Sequence, residues 1–116
     1  MKKMLFIINP NAGTKKASRY LMDMVSIFNR GGYEVSVFIT EKRGQAEQLA
    51  QEKAGSVDAV VCCGGDGTFN ETITGVLRAG VDVPLGYIPA DSRVYPVEKD
   101  DTDAMLAVRV GLERGC

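Results

Sequence analysis

Two long apolar runs, each followed at once by a polar or glycine-rich loop, constrain the fold of this chain most strongly. Met4–Ile8 is followed by Asn9-Pro10, and Asp58–Cys63, apolar after its first residue, is followed by a cluster of glycines. A strand with one face in water alternates apolar and polar residues, whereas an unbroken apolar run predicts a strand buried on both faces. Such strands are typical of parallel sheets that carry helices on both sides.

The segments around these two runs predict helices and further strands in alternation. Helices are predicted over 15–30, 45–54 and 68–78, and a last helix begins at Asp101 or Thr102. Strands are predicted over 33–40 and 83–89. The order β-α-β-α-β-α-β-loop-α predicts a three-layer α/β/α architecture with a mostly parallel sheet and right-handed crossovers. Because no linker divides the sequence, we expect residues 1–116 to form a single domain.

Composition excludes several classes of function. The 116 residues carry 14 Lys and Arg against 15 Asp and Glu, a net charge of -1, so we expect no nucleic-acid partner. The absence of His removes Ser-His-Asp triads and the common His-bearing zinc sites. The cysteines Cys62, Cys63 and Cys116 form no disulfide framework, and the short apolar start is ended by Asn9-Pro10, so we expect a cytoplasmic protein.

The segment Gly64-Gly65-Asp66-Gly67-Thr68 connects a predicted buried strand to a predicted helix. Three glycines in four residues allow a sharp turn and a close approach of the backbone to a ligand, and the helix start favours an anion. Asp66 is a poor neighbour for phosphate unless it holds a metal ion, a ribose hydroxyl or an attacking hydroxyl. The alternative interpretation is a tight turn in which Asp66 caps the helix.

The octet Gly64-Gly65-Asp66-Gly67-Thr68-Phe69-Asn70-Glu71 resembles the GGDGTxNE signature of the diacylglycerol kinase catalytic domain family, which includes sphingosine kinases and bacterial lipid kinases. The Walker-A and GxGxxG phosphate loops are absent from the sequence. Three further segments are similar to the family: residues 9–13, Thr40 with Gly44 and Ala46, and residues 84–90. The resemblance thus covers nearly the whole chain.

The resemblance implies the N-terminal domain of the NAD kinase/diacylglycerol kinase-like fold, ATP with Mg²⁺ as cofactors, and phosphorylation of a lipid hydroxyl in the parent enzyme. It implies a role in phospholipid metabolism and a peripheral membrane contact of that parent. Asp66 would lie near the phosphates and the magnesium and is a weak catalytic candidate; the catalytic group is otherwise unknown. The implied nucleotide-binding residues are Asn9, Thr40, Gly64, Gly65, Asp66, Gly67, Thr68, Asn70 and Glu71.

Several of these residues also have plain structural interpretations. Asn9 suits any strand-to-helix turn, and Thr40 is a common type of residue at a strand end. Asn70 and Glu71 lie in the first turns of the predicted helix, where they could cap it and complement its dipole. Lys15 and Lys16 could attract phosphate, although a solvated helix start is the better interpretation.

The sequence departs from the family pattern after Ala90. Residues 91–96 replace the Gly-Thr-x-Asn-Asp loop that the family would place there, and Asp91 would repel phosphate. We also expect the family's β-rich second domain, which would supply most of the lipid pocket and the general base, to be absent from these 116 residues. We therefore expect the chain alone to be inactive and to form a homo-oligomer that covers the exposed surface.

Three hypotheses about function follow. The first is the nucleotide-binding domain of a diacylglycerol-kinase-like lipid kinase. The second is an NAD kinase-like domain, in which the same aspartate would contact a ribose hydroxyl. The third is a non-catalytic domain that retains the fold for oligomerisation. The Asn70-Glu71 pair and the first loop favour the lipid kinases.

Overall fold

The computed structural model describes residues 1–10 and 21–89 of the chain. The strands are β1 (Lys2–Ile8), β2 (Tyr33–Ile39), β3 (Ala59–Gly64) and β4 (Leu85–Pro89), and the helices are α1 (Leu21–Arg30), α2 (Gln45–Lys53) and α3 (Asp66–Ala79). A 3₁₀ turn, Ala54–Ser56, follows α2. The predicted alternation of strands and helices is confirmed over these residues. The last predicted helix, the first residues of the first predicted helix and the altered loop after Ala90 lie outside them.

The strands form a single parallel sheet in the order β2-β1-β3-β4. The register pairs Ile8 with Ile39 on one side and with Cys63 on the other, and Cys63 with Ile88. Because β1 and β3 are the central strands, both of their faces are covered, which explains why their sequences are apolar without interruption. The register also brings the carboxyl ends of all these strands to one edge of the sheet.

The two faces of the sheet pack against different helices, so the predicted three layers are confirmed for the described residues. One face buries Met4, Phe6, Ile8, Val61, Cys63 and Ile88 against Met24 and Phe28 of α1. The opposite face buries Leu5, Ile7, Val60, Cys62 and Leu85 against Ala46 and Ala50 of α2 and Val76 of α3. None of the helices within residues 1–10 and 21–89 has the length and apolar character needed to cross a membrane.

Helices α2 and α3 pack unusually closely beside each other. A Cβ atom at Gly75 would collide with the backbone oxygen of Glu47 and would lie 2.7 Å from the Cβ of Ala50. Gly75 is therefore required for this approach, although a glycine inside a helix costs about 1 kcal/mol relative to alanine. A surface ion pair between Arg78 and Glu47, at 2.9 Å, joins the same two helices.

Candidate functional site

A cleft of about 280 Å³ lies at the carboxyl edge of the sheet. This is the edge at which parallel α/β sheets bind their ligands. The lining residues come from the segments that follow β1 and β2, from α2 and from the start of α3: Asn9, Thr40, Glu41, Lys42, Arg43, Ala46, Gly67, Thr68 and Glu71. Five of the residues predicted to bind nucleotide are therefore brought together: Asn9, Thr40, Gly67, Thr68 and Glu71.

Residues 64–71, which we call the glycine wall, turn directly from β3 into α3. Gly65 is the N-terminal cap of α3, and no side chain donates or accepts a capping bond there. The first helical bond runs from the Phe69 N–H to the Gly65 carbonyl, at 3.1 Å. The helix thus begins at Asp66, two residues before the predicted start, and Asp66 is its first residue rather than its cap. The first-turn N–H groups of any α-helix lack partners within the helix, so this start is suited to an anion.

Glycine stands at positions 64, 65 and 67 of this wall for different physical reasons. A Cβ at Gly64 would lie 2.7 Å from the Oγ1 of Thr68, so Gly64 is needed for close packing. A Cβ at Gly65 or Gly67 would meet nothing within 4 Å. Neither Gly65 nor Gly67 is among the described glycines with positive φ, so a left-handed conformation is not the reason for glycine at these positions. Their missing side chains leave open space where a ligand could approach the backbone.

A hydrogen bond joins the first loop to the glycine wall. The Asn9 side-chain amide donates to Thr68 Oγ1 at 3.3 Å, and the Asn9 backbone N–H donates to the Cys63 carbonyl at 2.9 Å. Thr68 is 7% exposed. Asn9 therefore joins the end of β1 to the glycine wall and orients the Thr68 hydroxyl at the cleft, which is more than a strand-to-helix turn requires.

Residues 40–44, which we call the basic loop, form another wall of the cleft. Thr40 begins the loop and is buried, with its N–H bonded to the Ile8 carbonyl at 2.9 Å and its hydroxyl donating to the same carbonyl at 3.4 Å. Gly44 ends the loop with a φ of 88° and caps α2. Between these fixed ends lie the exposed side chains of Lys42 and Arg43. The loop therefore presents two cations and the carboxylate of Glu41 at the cleft, so that positive charge is in excess on this loop.

Sequence reasoning missed Lys42 and Arg43. Two exposed cations in a loop have no periodicity, and the sequence alone does not show that β2 lies beside β1. The useful signal was the position of this pair directly after a predicted parallel strand, which places it at the ligand-binding edge. Lys15 and Lys16, the cations that the sequence suggested, lie outside the described residues.

The Glu71 side chain bonds to the basic loop instead of capping α3, the helix to which Glu71 belongs. Its Oε2 accepts a hydrogen bond from the Gly44 backbone N–H at 3.1 Å. The capping interpretation of Glu71 within α3 is therefore not what the structure shows. The side chain lines the cleft and joins the glycine wall to the basic loop.

Asp66 and Asn70 lie at the margin of the cleft. Both are exposed, and neither lines it. Among the described residues no group of three or more Cys, Asp or Glu side chains is placed to hold a metal ion by itself. Magnesium, however, is usually bound by one or two carboxylates together with substrate phosphates and water. The exposed carboxylate of Asp66 at the helix start fits a magnesium ion that arrives with a nucleotide.

Tyr87 of β4 contacts the glycine wall through both its hydroxyl and its ring. Its hydroxyl donates to the Gly64 carbonyl at 3.1 Å, and its ring stacks on Phe69 with the centroids 4.3 Å apart and the planes at 14°. Burial raises the pKa of Tyr87, and the negative charge of Asp66 raises this pKa further. The phenol therefore stays neutral and keeps donating its hydrogen bond at neutral pH.

Cys62 and Cys63 are buried in β3 and have no exposed surface, as the sequence predicted. Burial raises the pKa of the Cys62 thiol to about 12. A thiol with such a pKa is a poor nucleophile and a poor metal ligand, since both roles need the thiolate. These cysteines are core residues rather than part of the site.

Residues 3–93 match the diacylglycerol kinase catalytic domain family. The chain belongs to this family, which is a family of lipid kinases. The resemblance carried by the glycine wall and by the loop after β1 is thus confirmed.

The most similar proteins include kinases from bacteria and a plant. A diacylglycerol kinase of Staphylococcus aureus is 37% identical over 90 residues, which are 76% of this chain and 28% of that protein. Sphingoid long-chain bases kinase 1 of Arabidopsis thaliana is 36% identical over 98 residues, 78% of this chain and 13% of that protein. A solved diacylglycerol kinase structure from Bacillus anthracis superposes with a TM-score of 0.69 at 26% identity, over 97% of this chain and 42% of that one. The chain therefore spans less than half of the length of each of these relatives.

Proposed function

We propose that this chain forms the ATP-binding part of a lipid kinase that transfers a phosphoryl group from ATP to the hydroxyl of a lipid. The observation that carries the proposal is the cleft in which the open backbone at Gly67 and the cations Lys42 and Arg43 meet. Backbone amides at a helix start and nearby cations together are the usual protein partners of phosphate groups. The names of the relatives support a lipid as the acceptor.

The proposed roles of the residues follow from their positions. The start of α3 and the basic loop would bind the phosphates, while Asn9 and Thr40 would keep the surrounding loops in place. Magnesium, held by Asp66 and the phosphates, would neutralise charge that develops during transfer. Phosphoryl transfer depends mainly on positioning and electrostatic stabilisation, which a preformed cleft supplies.

We propose that the 116-residue polypeptide, tested by itself, binds nucleotide weakly and transfers no phosphate. The cleft of about 280 Å³ is at or below the lower limit of ordinary small-molecule sites, which are roughly 300–1,000 Å³. We therefore expect it to hold the phosphates and leave much of the nucleotide in water, with a Kd of roughly 0.1–10 mM. Magnesium-dependent transfer of labelled phosphate from ATP to diacylglycerol by this polypeptide would contradict the proposal.

Titration with magnesium-ATP, followed by amide NMR, tests nucleotide binding directly. We expect the largest shifts at residues 65–68 and 40–44, and none along the amino ends of the strands. A parallel titration with NAD distinguishes a lipid-kinase site from an NAD kinase-like one. Shifts confined to the amino edge of the sheet, or tighter binding of NAD than of ATP, would overturn the assignment.

Self-association is a further part of the proposal. Exposed large apolar side chains in the described part include Met22, Ile39 and Leu77, on three different elements. Met22 belongs to α1 and Leu77 to α3, which pack on opposite faces of the sheet, so a two-fold dimer would cover one of these side chains and not all of them. Analytical ultracentrifugation at about 100 µM, a concentration at which weak dimers form, tests it, and sedimentation as a monomer would contradict it.

A further inference from the structure

The hydrogen bond between Glu71 and Gly44 is unusual because it supplies a helix cap from a neighbouring helix. In a capping box, an acidic residue three positions after the cap reaches back to the cap's own N–H. In α2, which Gly44 caps, that position is Glu47, and its carboxylate is instead paired with Arg78. Glu71 of α3, 27 residues along the chain from Gly44, accepts the N–H bond in its place.

This bond fixes one end of the basic loop. The other end is fixed by Thr40, whose N–H and hydroxyl both bond to the Ile8 carbonyl. Within the loop the Glu41 N–H donates to the Gln45 side chain at 2.6 Å. Lys42 and Arg43 lie between these points and have exposed side chains. The Lys42 carbonyl also accepts a bond from the Gln45 N–H at 3.3 Å, so the loop is held from α2 as well as at its ends. Among these contacts, the bond from Gly44 to Glu71 is the one that comes from the glycine wall.

We propose that Glu71 is a positioning residue that holds the basic loop, with Lys42 and Arg43, against the glycine wall so that both walls can bind the same polyphosphate. The inference rests on the proposed nucleotide site and adds the way in which its two walls are kept together. Gly44 is exposed, so water can satisfy its N–H when Glu71 is removed. Loss of the bond therefore releases the loop without leaving a buried group unsatisfied, and the fold persists.

The two functions of the Glu71 side chain, accepting a bond and carrying a charge, predict opposite results for two variants. Glu71→Gln keeps an acceptor oxygen at the same reach and removes the charge. Glu71→Asp keeps the charge and withdraws the carboxylate from Gly44 by one methylene. If Glu71 positions the loop, the Gln variant binds magnesium-ATP within about twofold of the wild type, and the Asp and Ala variants bind about fivefold more weakly.

A double-mutant cycle shows whether Glu71 acts through the cations. The Lys42→Ala/Arg43→Ala variant should also bind magnesium-ATP about fivefold more weakly, and the addition of Glu71→Ala should weaken it by less than twofold. The matched control is Glu47→Ala, which breaks the ion pair with Arg78 between the same two helices, and its affinity should equal that of the wild type. In the nucleotide-free protein, the Gly44 N–H should exchange with solvent faster in Glu71→Ala and Glu71→Asp than in the wild type, and should keep most of its protection in Glu71→Gln.

The outcomes separate this inference from the proposed function. A wild-type chain that does not bind magnesium-ATP overturns the proposed function, whereas the exchange rate of the Gly44 N–H still reports on the bond to Glu71. A wild type that binds together with a Glu71→Ala variant of equal affinity overturns the positioning role. Losses that multiply in the combined variant overturn the action through Lys42 and Arg43. If Glu71→Ala does not fold, the Gln and Asp variants decide, and a Gln variant that binds magnesium-ATP as weakly as the Asp variant overturns the inference.

Discussion

The glycine wall and the basic loop line the same cleft, but they are held by different kinds of contact. The glycine wall is fixed by packing: Gly64 lies against Thr68, Tyr87 bonds to the Gly64 carbonyl, and Phe69 stacks on Tyr87. The basic loop has exposed side chains and is anchored by a few hydrogen bonds at its ends. We therefore expect changes in the glycine wall to affect both stability and binding, and changes in the basic loop to affect binding alone.

The largest expected effect comes from Gly64→Ala. The added Cβ would lie 2.7 Å from Thr68 Oγ1 and 2.8 Å from Thr68 Cβ, so the start of α3 must move. Overpacking of this kind costs about 1–3 kcal/mol of unfolding free energy. Chemical denaturation measures the loss of unfolding free energy. Gly32→Ala is unsuitable as a control, because the φ of 94° at Gly32 makes that substitution strained by itself. A variant as stable as the wild type would show that the close approach at Gly64 is not required.

Gly67→Ala sharpens the comparison because it separates the two roles of the glycine wall. Gly67 lies in the first turn of α3, and its added Cβ would meet no atom within 4 Å. We expect the free energy of unfolding to rise by up to about 1 kcal/mol, since alanine favours a helix. We expect magnesium-ATP to bind about tenfold more weakly, because the methyl group occupies space that phosphate would use. Normal ATP affinity in this variant would show that the loop is merely a turn.

The position of the glycine wall can be predicted from the sequence, whereas the arrangement of the basic loop cannot, because the two depend on different kinds of contact. The runs 4–8 and 59–63 are apolar because both faces are buried, so their sequence reports their environment directly. The sequence predicts that α3 starts at Thr68 instead of Asp66, because Asp and Gly are weak helix formers and no local pattern marks the Gly65 carbonyl that accepts the first helical bond. The bond from Gly44 to Glu71 depends on how α2 packs on α3, which no local pattern encodes.

The double change Lys42→Ala/Arg43→Ala tests the expectation that the basic loop affects binding alone. Both side chains are exposed, so we expect the midpoint of thermal unfolding to stay close to that of the wild type. Magnesium-ATP should bind about three- to tenfold more weakly, and the remaining affinity should depend less on salt because surface attraction is screened by ions. Calorimetric titrations at low and high salt measure both effects. An unchanged salt dependence would show that these cations do not face the phosphates.

Tyr87→Phe should give the smallest effect and tests how far the glycine wall relies on a single bond. The variant keeps the ring that stacks on Phe69 and removes the hydroxyl that donates to the Gly64 carbonyl. We expect a loss of about 0.5–1.5 kcal/mol of unfolding free energy at neutral pH, the usual net value of one hydrogen bond. ATP affinity should fall by less than threefold, because the packing of Gly64 on Thr68 remains.

The pH dependence of the difference in unfolding free energy between the wild type and Tyr87→Phe checks this prediction. Because burial and Asp66 raise the pKa of Tyr87 in the folded state, the folded phenol ionises at a higher pH than the unfolded one. Its contribution to stability is therefore complete below about pH 10, the usual tyrosine pKa, and is lost as the pH rises through the folded value. Because burial raises the pKa of Cys62 to about 12, this thiol stays neutral in the folded protein up to about pH 10 and does not affect the difference over that range. The stability gap between wild type and Tyr87→Phe should thus be constant from pH 6 to 9 and shrink above about pH 10; a gap that grows there would mean that Tyr87 ionises more easily in the folded protein.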